Sequence, residues 1–378
     1  MGFHLFLFFK SVLHLNSIQS VGFKNLSEIN LALKPGVHFI IGDNGMGKTN
    51  FLDAIYYSAM AKSYFGLNDK DIIQHGKDFF RIQLEYQQQQ QTHQLEIKYK
   101  SALTKEFSRD HIPYSKLSDH IGNIPLVMIT PDDIFYFLQD HEERRKFLNQ
   151  TLVQTDPIYL DHLQQYTKVL KQRNALLKFA SSSTTVDLTL LDLYDEQLVR
   201  SGNYIYQCRQ NLLQQIAPWL SQMSLFISGK QQDSSIEFES DAAINLQHCF
   251  EKNRSKDLIT QRSNTGIHRD KLNIKMNGLS LNEFGSQGQI KTFLIALKLA
   301  QVQYLSNIKQ TKALFLLDDL FSKLDQQRIH SLLSLLVEQG IEQCFITDTD
   351  PERAKKAAQN VKLNSYFYTM NHGICTTL

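Results

Sequence analysis

One short segment has the residue types and the spacing that hold a phosphate group. Residues 42–49 read GDNGMGKT and match the pattern G-x-x-x-x-G-K-[ST]. Glycines let such a loop turn its backbone N–H groups towards a phosphate, while Lys48 can reach the β- and γ-phosphates and the Thr49 hydroxyl can bind Mg²⁺. A strand-like run precedes the loop and a helical pattern follows it, as this motif requires. We therefore expect ATP and Mg²⁺ to bind at these residues: Gly42, Asp43, Asn44, Gly45, Met46, Gly47, Lys48, Thr49 and Asn50.

A pair of carboxylates follows an apolar run near the C-terminus. In ALFLLDD, Asp318 and Asp319 come directly after residues that predict a buried strand. A carboxylate at a strand end can hold the magnesium ion of a loop-bound nucleotide, and we assign this role to Asp318 together with Thr49. Asp319 would orient or deprotonate the attacking water, so Asp319 and Lys48 are the candidate catalytic residues. The alternative is a strand that simply ends in polar residues.

Three further segments fit the same chemistry but also have simpler explanations. Ser286 and Gly288 open an amphipathic helix whose N-terminus could bind an anion, although Ser286 with Gln289 three residues later is also a capping box. Asp325 ends the segment SKLD, shortly after the acidic pair, and Thr347 ends a strand-like run; either can be ordinary cap chemistry. In a parallel sheet the end of that run would lie near the nucleotide, which makes Thr347 a candidate sensor residue.

The composition is that of an ordinary soluble globular protein, and 378 residues are enough for two or three domains. Its 40 Lys and Arg nearly balance 38 Asp and Glu, so any nucleic-acid site must be a local basic patch. The four cysteines form no CxxC pair, which argues against zinc and disulfides and fits a cytoplasmic location. No apolar run is long enough to cross a membrane, and residues 1–14 are typical of an N-terminal extension or a mis-called start.

The periodicity predicts an α/β fold made from both ends of the chain. Two strands are expected within residues 18–41, and two more flank an exposed glutamine tract at 87–91. Strands at 313–317 and 343–347, with a helix between them, predict a parallel βαβ unit.

Between these regions the pattern is helical. One predicted helix begins at Pro157, a Ser/Thr-rich loop covers 181–185, and a second helix ends at Pro218. Helices of about 20 residues are about 30 Å long, too short for a coiled-coil arm. We expect the following domains: an N-terminal lobe at 15–130, a mainly helical lid at 131–261 and a C-terminal lobe at 262–378.

Taken together, GDNGMGKTN, SQGQ, LLDD and SKLD around a helical insertion resemble the ABC-type ATPase head. KSYF, TPDD, RRKFLN and GIHRD narrow the resemblance to the RecF family of bacterial recombination-repair ATPases, which are related to SMC proteins. The resemblance covers nearly the whole chain from about residue 15 onward. It implies a P-loop NTPase fold, a mixed sheet flanked by helices, with an inserted helical lid and no long coiled coil.

The resemblance also implies a paired assembly, because in that family ATP is held between two head domains. The γ-phosphate held by Lys48 of one copy would then face three residues of the other, namely Ser286, Gly288 and Gln289. Asp325 would lie at the same interface. The implied partners are a second copy of the chain, DNA at gaps and at junctions between single and double strands, and the mediators RecO and RecR.

The best local basic patch for DNA comes from the helical region, although a charge run is usually only a solvated face. It comprises Arg144, Arg145, Lys146, Lys168 and Lys171.

The expected function is that of a slow Mg²⁺-dependent repair ATPase in which ATP clamps two copies together and hydrolysis releases them. One alternative is a nucleotide-gated DNA-binding scaffold with incidental hydrolysis, which would tolerate loss of the Asp319 carboxylate. Another is the ATP subunit of a membrane transporter, against which the large insertion and the lack of a recognisable Q-loop glutamine both argue.

Overall fold

The computed structural model describes residues 12–101, 105–180, 187–229, 233–359 and 364–378. The chain divides into two compact units: a first unit with residues up to 134, 222–231 and 287–378, and a second unit with residues 135–221 and 232–286. Of the predicted extension at 1–14, residues 1–11 lie outside the described part, and so does the loop predicted at 181–185.

The first unit begins with an antiparallel sheet and the strand that leads to the phosphate-binding loop. Residues 18–41 hold parts of three strands rather than the two expected, because a turn through Gly22 and Asn25 divides the first apolar run into a hairpin. The elements described in this part are β1 (Leu13–Val21), β2 (Glu28–Ala32), β3 (Gly36–Ile41), α1 (Lys48–Met60), α2 (Asp69–Ile72), β4 (Phe79–Gln88), β5 (Gln91–Lys100), β6 (Glu106–Arg109), β7 (Ile112–Pro113) and β8 (Leu126–Ile129).

The antiparallel sheet has the strand order β2-β1-β4-β5-β6-β7. Along β4 every second side chain is buried, the pattern of a sheet with one face on the core. The glutamine tract forms the turn from β4 to β5, where Gln89 and Gln90 are exposed and have positive φ, so the predicted hairpin tip is confirmed.

Helices dominate the region that follows. The elements described here are α3 (Pro131–Gln139), α4 (His141–Thr155), α5 (Pro157–Ala180), α6 (Leu188–Ser228), β9 (Ser234–Glu239), α7 (Leu246–Thr260), β10 (Lys271–Met276), β11 (Leu279–Ser280) and α8 (Leu281–Phe284). The predicted start at Pro157 is confirmed, whereas the predicted end at Pro218 is wrong. Pro218 lies inside α6, whose 41 residues span about 60 Å. A proline costs such a helix one hydrogen bond, and the buried Ile216 and Leu220 on either side stabilise it by packing.

The second unit also contains a small sheet, so the predicted boundary at 262 moves to 286. β10 pairs antiparallel with β9 along its whole length, which joins residues 262–286 to the insertion rather than to the C-terminal lobe. Buried ion pairs hold the helices of this unit: Arg173 Nε lies 2.6 Å from Asp195, and Arg173 Nη1 lies 2.7 Å from Asp257. Because a buried charge is costly without a partner, these pairs fix the packing of α5, α6 and α7.

The C-terminal part returns to the first unit with alternating helices and strands. Its described elements are α9 (Gln287–Lys309), β12 (Leu314–Leu317), α10 (Gln326–Glu338), β13 (Gln343–Asp348), α11 (Pro351–Gln359), β14 (Ser365–Asn371) and β15 (Ile374–Thr377). The predicted βαβ unit is confirmed, since β12 and β13 pair in parallel with α10 between them. In the described part of the chain, no helix combines the length and the apolar character needed to cross a membrane.

A second sheet combines strands from both ends of the chain in the order β15-β14-β3-β13-β12-β8. Strands β14, β3, β13, β12 and β8 run parallel, and every residue of β3, β12, β13 and β8 is buried. The residues that follow β3, β13, β12 and β8 therefore meet at one edge of the sheet, where ligands of open α/β sheets bind.

Acid should destabilise this sheet through His38 of β3. The ring stacks on Phe345, and its nitrogens bond the Tyr368 hydroxyl at 3.1 Å and the Lys34 carbonyl at 2.8 Å. Burial lowers the pKa of His38 from 6.5 to about 4. Between these values the unfolded chain binds a proton that the folded chain does not, so the free energy of unfolding falls as the pH falls. We expect His38→Phe to flatten this slope by up to about 1.4 kcal/mol per pH unit.

Urea unfolding of both proteins between pH 4.5 and 6.5 measures the slope. Tyr368→Phe is the matched control, because it removes the hydroxyl that His38 contacts but leaves the histidine, and it should lower stability without flattening the slope. Equal slopes for wild type and His38→Phe would contradict the assignment.

Candidate nucleotide site

The phosphate-binding loop starts where β3 ends and is held from two neighbouring strands. The Gly42 N–H donates to the Asp348 carbonyl at 3.2 Å, which fixes the loop to the end of β13. A Cβ atom on Gly42 would lie 2.2 Å from the Met370 carbonyl oxygen of β14, so a side chain does not fit there. Met46 accepts a hydrogen bond from the Gly373 N–H at 2.8 Å. Gly47 has φ +109 just before α1, a conformation that favours glycine.

Lys48 is folded back over this loop. Its Nζ donates to the carbonyls of Gly42 at 2.6 Å and Asp43 at 2.8 Å, and the residue is only 6% exposed. Burial lowers the pKa of Lys48, and the negative charges of Asp319 and Asp318 oppose that shift. The ammonium group therefore lies at the loop with carbonyl partners that phosphate oxygens can replace.

The Asp318 carboxylate joins the end of β12 to the start of α1 and to the end of β13. The Thr49 hydroxyl lies 2.9 Å from both carboxylate oxygens, and the Thr347 hydroxyl donates to Oδ1 at 2.7 Å. Burial raises the pKa of Asp318, while the hydrogen bonds from Thr347 and Thr49 act in the opposite direction. The residues predicted to bind magnesium, Thr49 and Asp318, are thus in direct contact.

Asp319 has a strained backbone and a carboxylate oxygen without a protein partner. Its φ is +39, and its N–H donates to the Thr347 hydroxyl at 2.8 Å. Its Oδ1 atom is buried and has no hydrogen-bond partner among the described residues. Since buried polar atoms are normally satisfied, this oxygen is suited to a group that enters the cleft. Thr347 thus contacts both aspartates. From the sequence alone, Thr347 could also have been an ordinary capping residue.

Asn25 is a site residue that the sequence analysis missed. Its side-chain amide donates to the Gly45 carbonyl at 3.1 Å, and its oxygen accepts from Asn50 Nδ2 at 2.7 Å. Asn25 therefore braces the loop from the β1–β2 turn, 20 residues away. The sequence around Asn25 indicates only a turn, in which asparagine is common. Its contact with Gly45 depends on the fold.

Much of the loop, the acidic pair and Asn25 line one open cleft of about 380 Å³ in the first unit. The segment Thr130–Asp132, which follows β8, and Phe65 contribute further walls that the sequence analysis did not assign. The predicted residues that line the cleft are Asn44, Gly45, Gly47, Lys48, Thr49, Asn50, Asp318 and Asp319.

The site fits ATP with Mg²⁺. The loop presents N–H groups and one lysine to a phosphate chain, and the Thr49 hydroxyl lies beside a carboxylate. The described residues contain no cluster of three or more His, Cys, Asp or Glu that could bind a metal by itself. Mg²⁺ usually binds one or two protein groups together with substrate phosphates, and Thr49 and Asp318 are groups of that kind.

The residues expected to act across a pair of copies lie elsewhere. Gly288 and Gln289 belong to the first turn of α9, and Asp325 caps α10 by accepting the Arg328 N–H at 2.9 Å. Ser286 immediately precedes α9. Among the described residues that line the cleft, none comes from the start of α9 or from the turn before α10. Within one copy, the two sets of predicted nucleotide contacts are therefore not brought together in the cleft.

One residue of the predicted DNA-binding patch, Arg144, is not accessible to DNA. Arg144 is buried and donates to the carbonyls of Phe137, Leu138 and Leu272, so its guanidinium has a structural role. Arg145 is half-buried and donates to the Asp270 carbonyl at 2.8 Å. Of the remaining positions, Lys146 pairs with Glu143 at 3.3 Å, and two are exposed on α5: Lys168 and Lys171.

Comparison with known proteins decides the family. The profile of the RecF/RecN/SMC N terminal domain matches residues 14–371. The DNA replication and repair protein RecF of Flavobacterium johnsoniae is 38% identical over 351 residues, covering 91% of this chain and 96% of that protein. The chain belongs to the RecF family. The RecF protein of Cytophaga hutchinsonii is 36% identical and covers 90% of this chain and 91% of its own length.

Solved structures agree with this RecF assignment. The structure of the recombination mediator protein RecF-ATPrS in the RecFOR pathway matches with a TM-score of 0.87 and 26% identity, covering 97% of this chain and 98% of that one. An Smc head domain from Pyrococcus furiosus matches with a TM-score of 0.55 and 14% identity, over 97% of this chain and 96% of that one, and shows the common fold. The predicted ABC-type ATPase head with an inserted domain and no long coiled coil is confirmed.

Replacement of Asn25 by alanine should weaken nucleotide binding. The change removes two hydrogen bonds that hold the loop, each worth about 1 kcal/mol, so we expect the dissociation constant for ATP to rise by roughly 5- to 30-fold. Isothermal titration with ATP and Mg²⁺ measures it. Asn30→Ala, at an exposed position of β2, is the control and should bind ATP like wild type. Unchanged affinity in a folded Asn25→Ala variant would show that the brace has no role in binding.

Proposed function

We propose that the chain is a slow Mg²⁺-dependent ATPase that pairs with a second copy when ATP is bound and acts in the cytoplasm on DNA at single-strand gaps. One observation carries the proposal: the cleft contains the loop and the acidic pair, whereas the start of α9 and Asp325 lie outside its walls. The site of one chain is therefore half of the site that the RecF resemblance implies. ATP would complete it by bridging two copies.

The second half would come from the partner's α9. The N-terminus of a helix presents unpaired N–H groups and a positive dipole end, which stabilise a phosphate. Ser286, Gly288 and Gln289 lie where the 23-residue helix α9 begins. We propose that they contact the γ-phosphate held by Lys48 of the other copy, with Asp325 at the same interface.

Hydrolysis would use the groups already in the cleft. Lys48 would exchange its carbonyl partners for the β- and γ-phosphates. Mg²⁺, when held by Thr49 and Asp318, supplies positive charge to the phosphate oxygens. Asp319 would accept a proton from the water that attacks the γ-phosphorus, while the bond to the β-phosphate oxygen breaks and leaves ADP and phosphate. Thr347 would hold the two aspartates in position through its hydroxyl group.

The names of the relatives support the DNA and protein partners that we propose. The relatives of this chain carry the description of DNA replication and repair proteins, and the solved RecF structure is of a recombination mediator in the RecFOR pathway. We propose RecO and RecR as partners and a gap or a single-strand/double-strand junction as the DNA target. The exposed Lys168 and Lys171, three residues apart on α5, are the best remaining DNA-binding candidates, with Arg145 and Lys146 as weaker ones.

Two substitutions separate pairing from hydrolysis. Lys48→Met removes the charge that holds the phosphates and should abolish ATP-induced pairing. Asp319→Asn keeps the size of the side chain but cannot accept the proton, so we expect ATP-induced pairing to persist while hydrolysis falls by about 100-fold or more. Sedimentation with and without ATP and gapped DNA measures pairing, and phosphate release measures hydrolysis.

Pairing by a folded Lys48→Met variant would contradict the clamp. Full repair activity of Asp319→Asn in cells would instead support a nucleotide-gated scaffold, in which hydrolysis is incidental. A membrane protein recovered as the stable partner of the chain would support a transporter subunit.

Thr347→Val should lower the rate of hydrolysis more than the affinity for ATP. Valine has the shape of threonine but lacks the hydroxyl group. In the wild type this hydroxyl donates to Asp318 at 2.7 Å and accepts a hydrogen bond from the Asp319 N–H at 2.8 Å. A lost hydrogen bond with a buried partner costs about 1–3 kcal/mol, so we expect roughly a 5- to 100-fold slower rate. Thr347→Ser keeps the hydroxyl and is the control. Equal rates for the valine and serine variants would exclude the sensor role.

A further inference from the structure

Arg328 joins two segments of one chain, α9 and the turn before α10. The proposed function places both segments at the interface with a second copy. Arg328 lies in the first turn of α10. Its Nε donates to the Thr292 hydroxyl of α9 at 3.1 Å, and its Nη1 bonds the Asp325 carboxylate. Asp325 in turn caps α10 by accepting the Arg328 N–H at 2.9 Å. One guanidinium therefore contacts both α9 and the turn that precedes α10.

Gly288 shows how closely the guanidinium packs on the start of α9. A Cβ atom at position 288 would lie 2.8 Å from Arg328 Nη2, closer than real Cβ contacts. A side chain at this position would require the end of the Arg328 side chain to move. A second tie runs parallel to the first, since Lys291 Nζ donates to the Lys323 carbonyl at 2.6 Å.

We propose that Arg328 is a positioning residue that fixes the start of α9 and Asp325 as one surface for the phosphate held by a second copy. The inference rests on the proposed function. A planar guanidinium has five N–H donors in a fixed fork, so it can hold two elements at a set distance and angle. A lysine at this position would keep the charge but lose that geometry.

The charges at this surface also favour a phosphate. Among the described residues, Arg328 Nη2 has no hydrogen-bond partner, and it lies against the backbone of Gly288. The hydrogen bond from the Arg328 N–H, together with the guanidinium charge, lowers the pKa of Asp325, which keeps this carboxylate ionised and paired. The surface therefore presents N–H donors beside the helix end while its one carboxylate is already neutralised by Arg328.

Arg328→Gln tests the proposal because Arg328 is not part of the cleft that binds ATP. We expect the dissociation constant of one copy for ATP to stay within about twofold of wild type, since the cleft residues are unchanged. ATP-induced pairing, measured by sedimentation over a range of protein concentrations, should weaken by about tenfold or more, as for a charged hydrogen-bond network worth 1.5–3 kcal/mol. Arg328→Lys should restore pairing only in part.

Two further variants keep the test sharp. Thr292→Val removes the hydroxyl bonded to Nε and keeps the shape of a buried residue, so it should weaken pairing in the same direction. Lys355→Gln is the matched control, because Lys355 and Glu352 form another pair three residues apart at the start of a helix, α11. It should pair like wild type.

Mixed chains distinguish action across the pair from damage within one copy. The Lys48→Met and Arg328→Gln chains are each expected to hydrolyse ATP poorly. When they are mixed, the cleft of an Arg328→Gln chain can meet the intact Arg328 of a Lys48→Met chain. Each mixed pair has one complete site of two, so hydrolysis should return, at up to about half of the wild-type rate per pair.

The outcomes distinguish the proposed function from the role of Arg328. Absence of ATP-induced pairing in the wild-type chain would overturn the proposed function and this inference with it. Normal pairing in wild type together with normal pairing of folded Arg328→Gln and Thr292→Val would overturn only the inference. No recovery of hydrolysis in the mixture would show that Arg328 acts within its own copy and would also overturn it.

Discussion

The site of this protein depends on one buried carboxylate. Asp318 accepts hydrogen bonds from the hydroxyl groups of Thr49 and Thr347, and so joins the start of α1 and the end of β13 to the end of β12. A carboxylate in this position needs donors, because burial alone would favour its neutral form. The hydroxyl groups satisfy both oxygens in a single copy, and the same two oxygens are the ones that we propose for Mg²⁺. The structural bond and the proposed metal site are thus the same set of atoms.

The sheet makes this contact possible. β13 lies between β3 and β12, so the loop after β3 and the acidic pair after β12 are separated by one strand, and Thr347 at the end of β13 reaches both aspartates. The loop is held by the hydrogen bond from the Gly42 N–H to the Asp348 carbonyl, and the Met370 carbonyl leaves no space for a side chain at Gly42. Backbone packing, rather than side-chain chemistry alone, therefore fixes where a phosphate would bind.

The second unit uses buried charges in a different way. Arg173 and Arg209 are fully buried and paired with aspartates, and Arg144 bonds three carbonyls. From the sequence alone, each of these arginines would be expected at the surface. The functional charges of the first unit, by contrast, line an open cleft or an exposed helix start. Lys48 and Asp318 are buried too, so burial alone does not separate the two kinds of charge; Lys48 and Asp318 line the cleft, whereas the three arginines do not.

The sequence by itself located the phosphate-binding loop, the acidic pair and the βαβ unit, because each depends on residues that are neighbours in the chain. It also gave the helix start at Pro157 and the hairpin at the glutamine tract, which are set by local backbone preferences. Only the tertiary structure decided the rest. Asn25 contacts Gly45 across 20 residues, Pro218 is carried inside a helix by its packing, and β10 joins the insertion by pairing with β9. The burial of Arg144 and the packing of Arg328 on Gly288 depend likewise on segments distant in sequence, and no local pattern records such contacts.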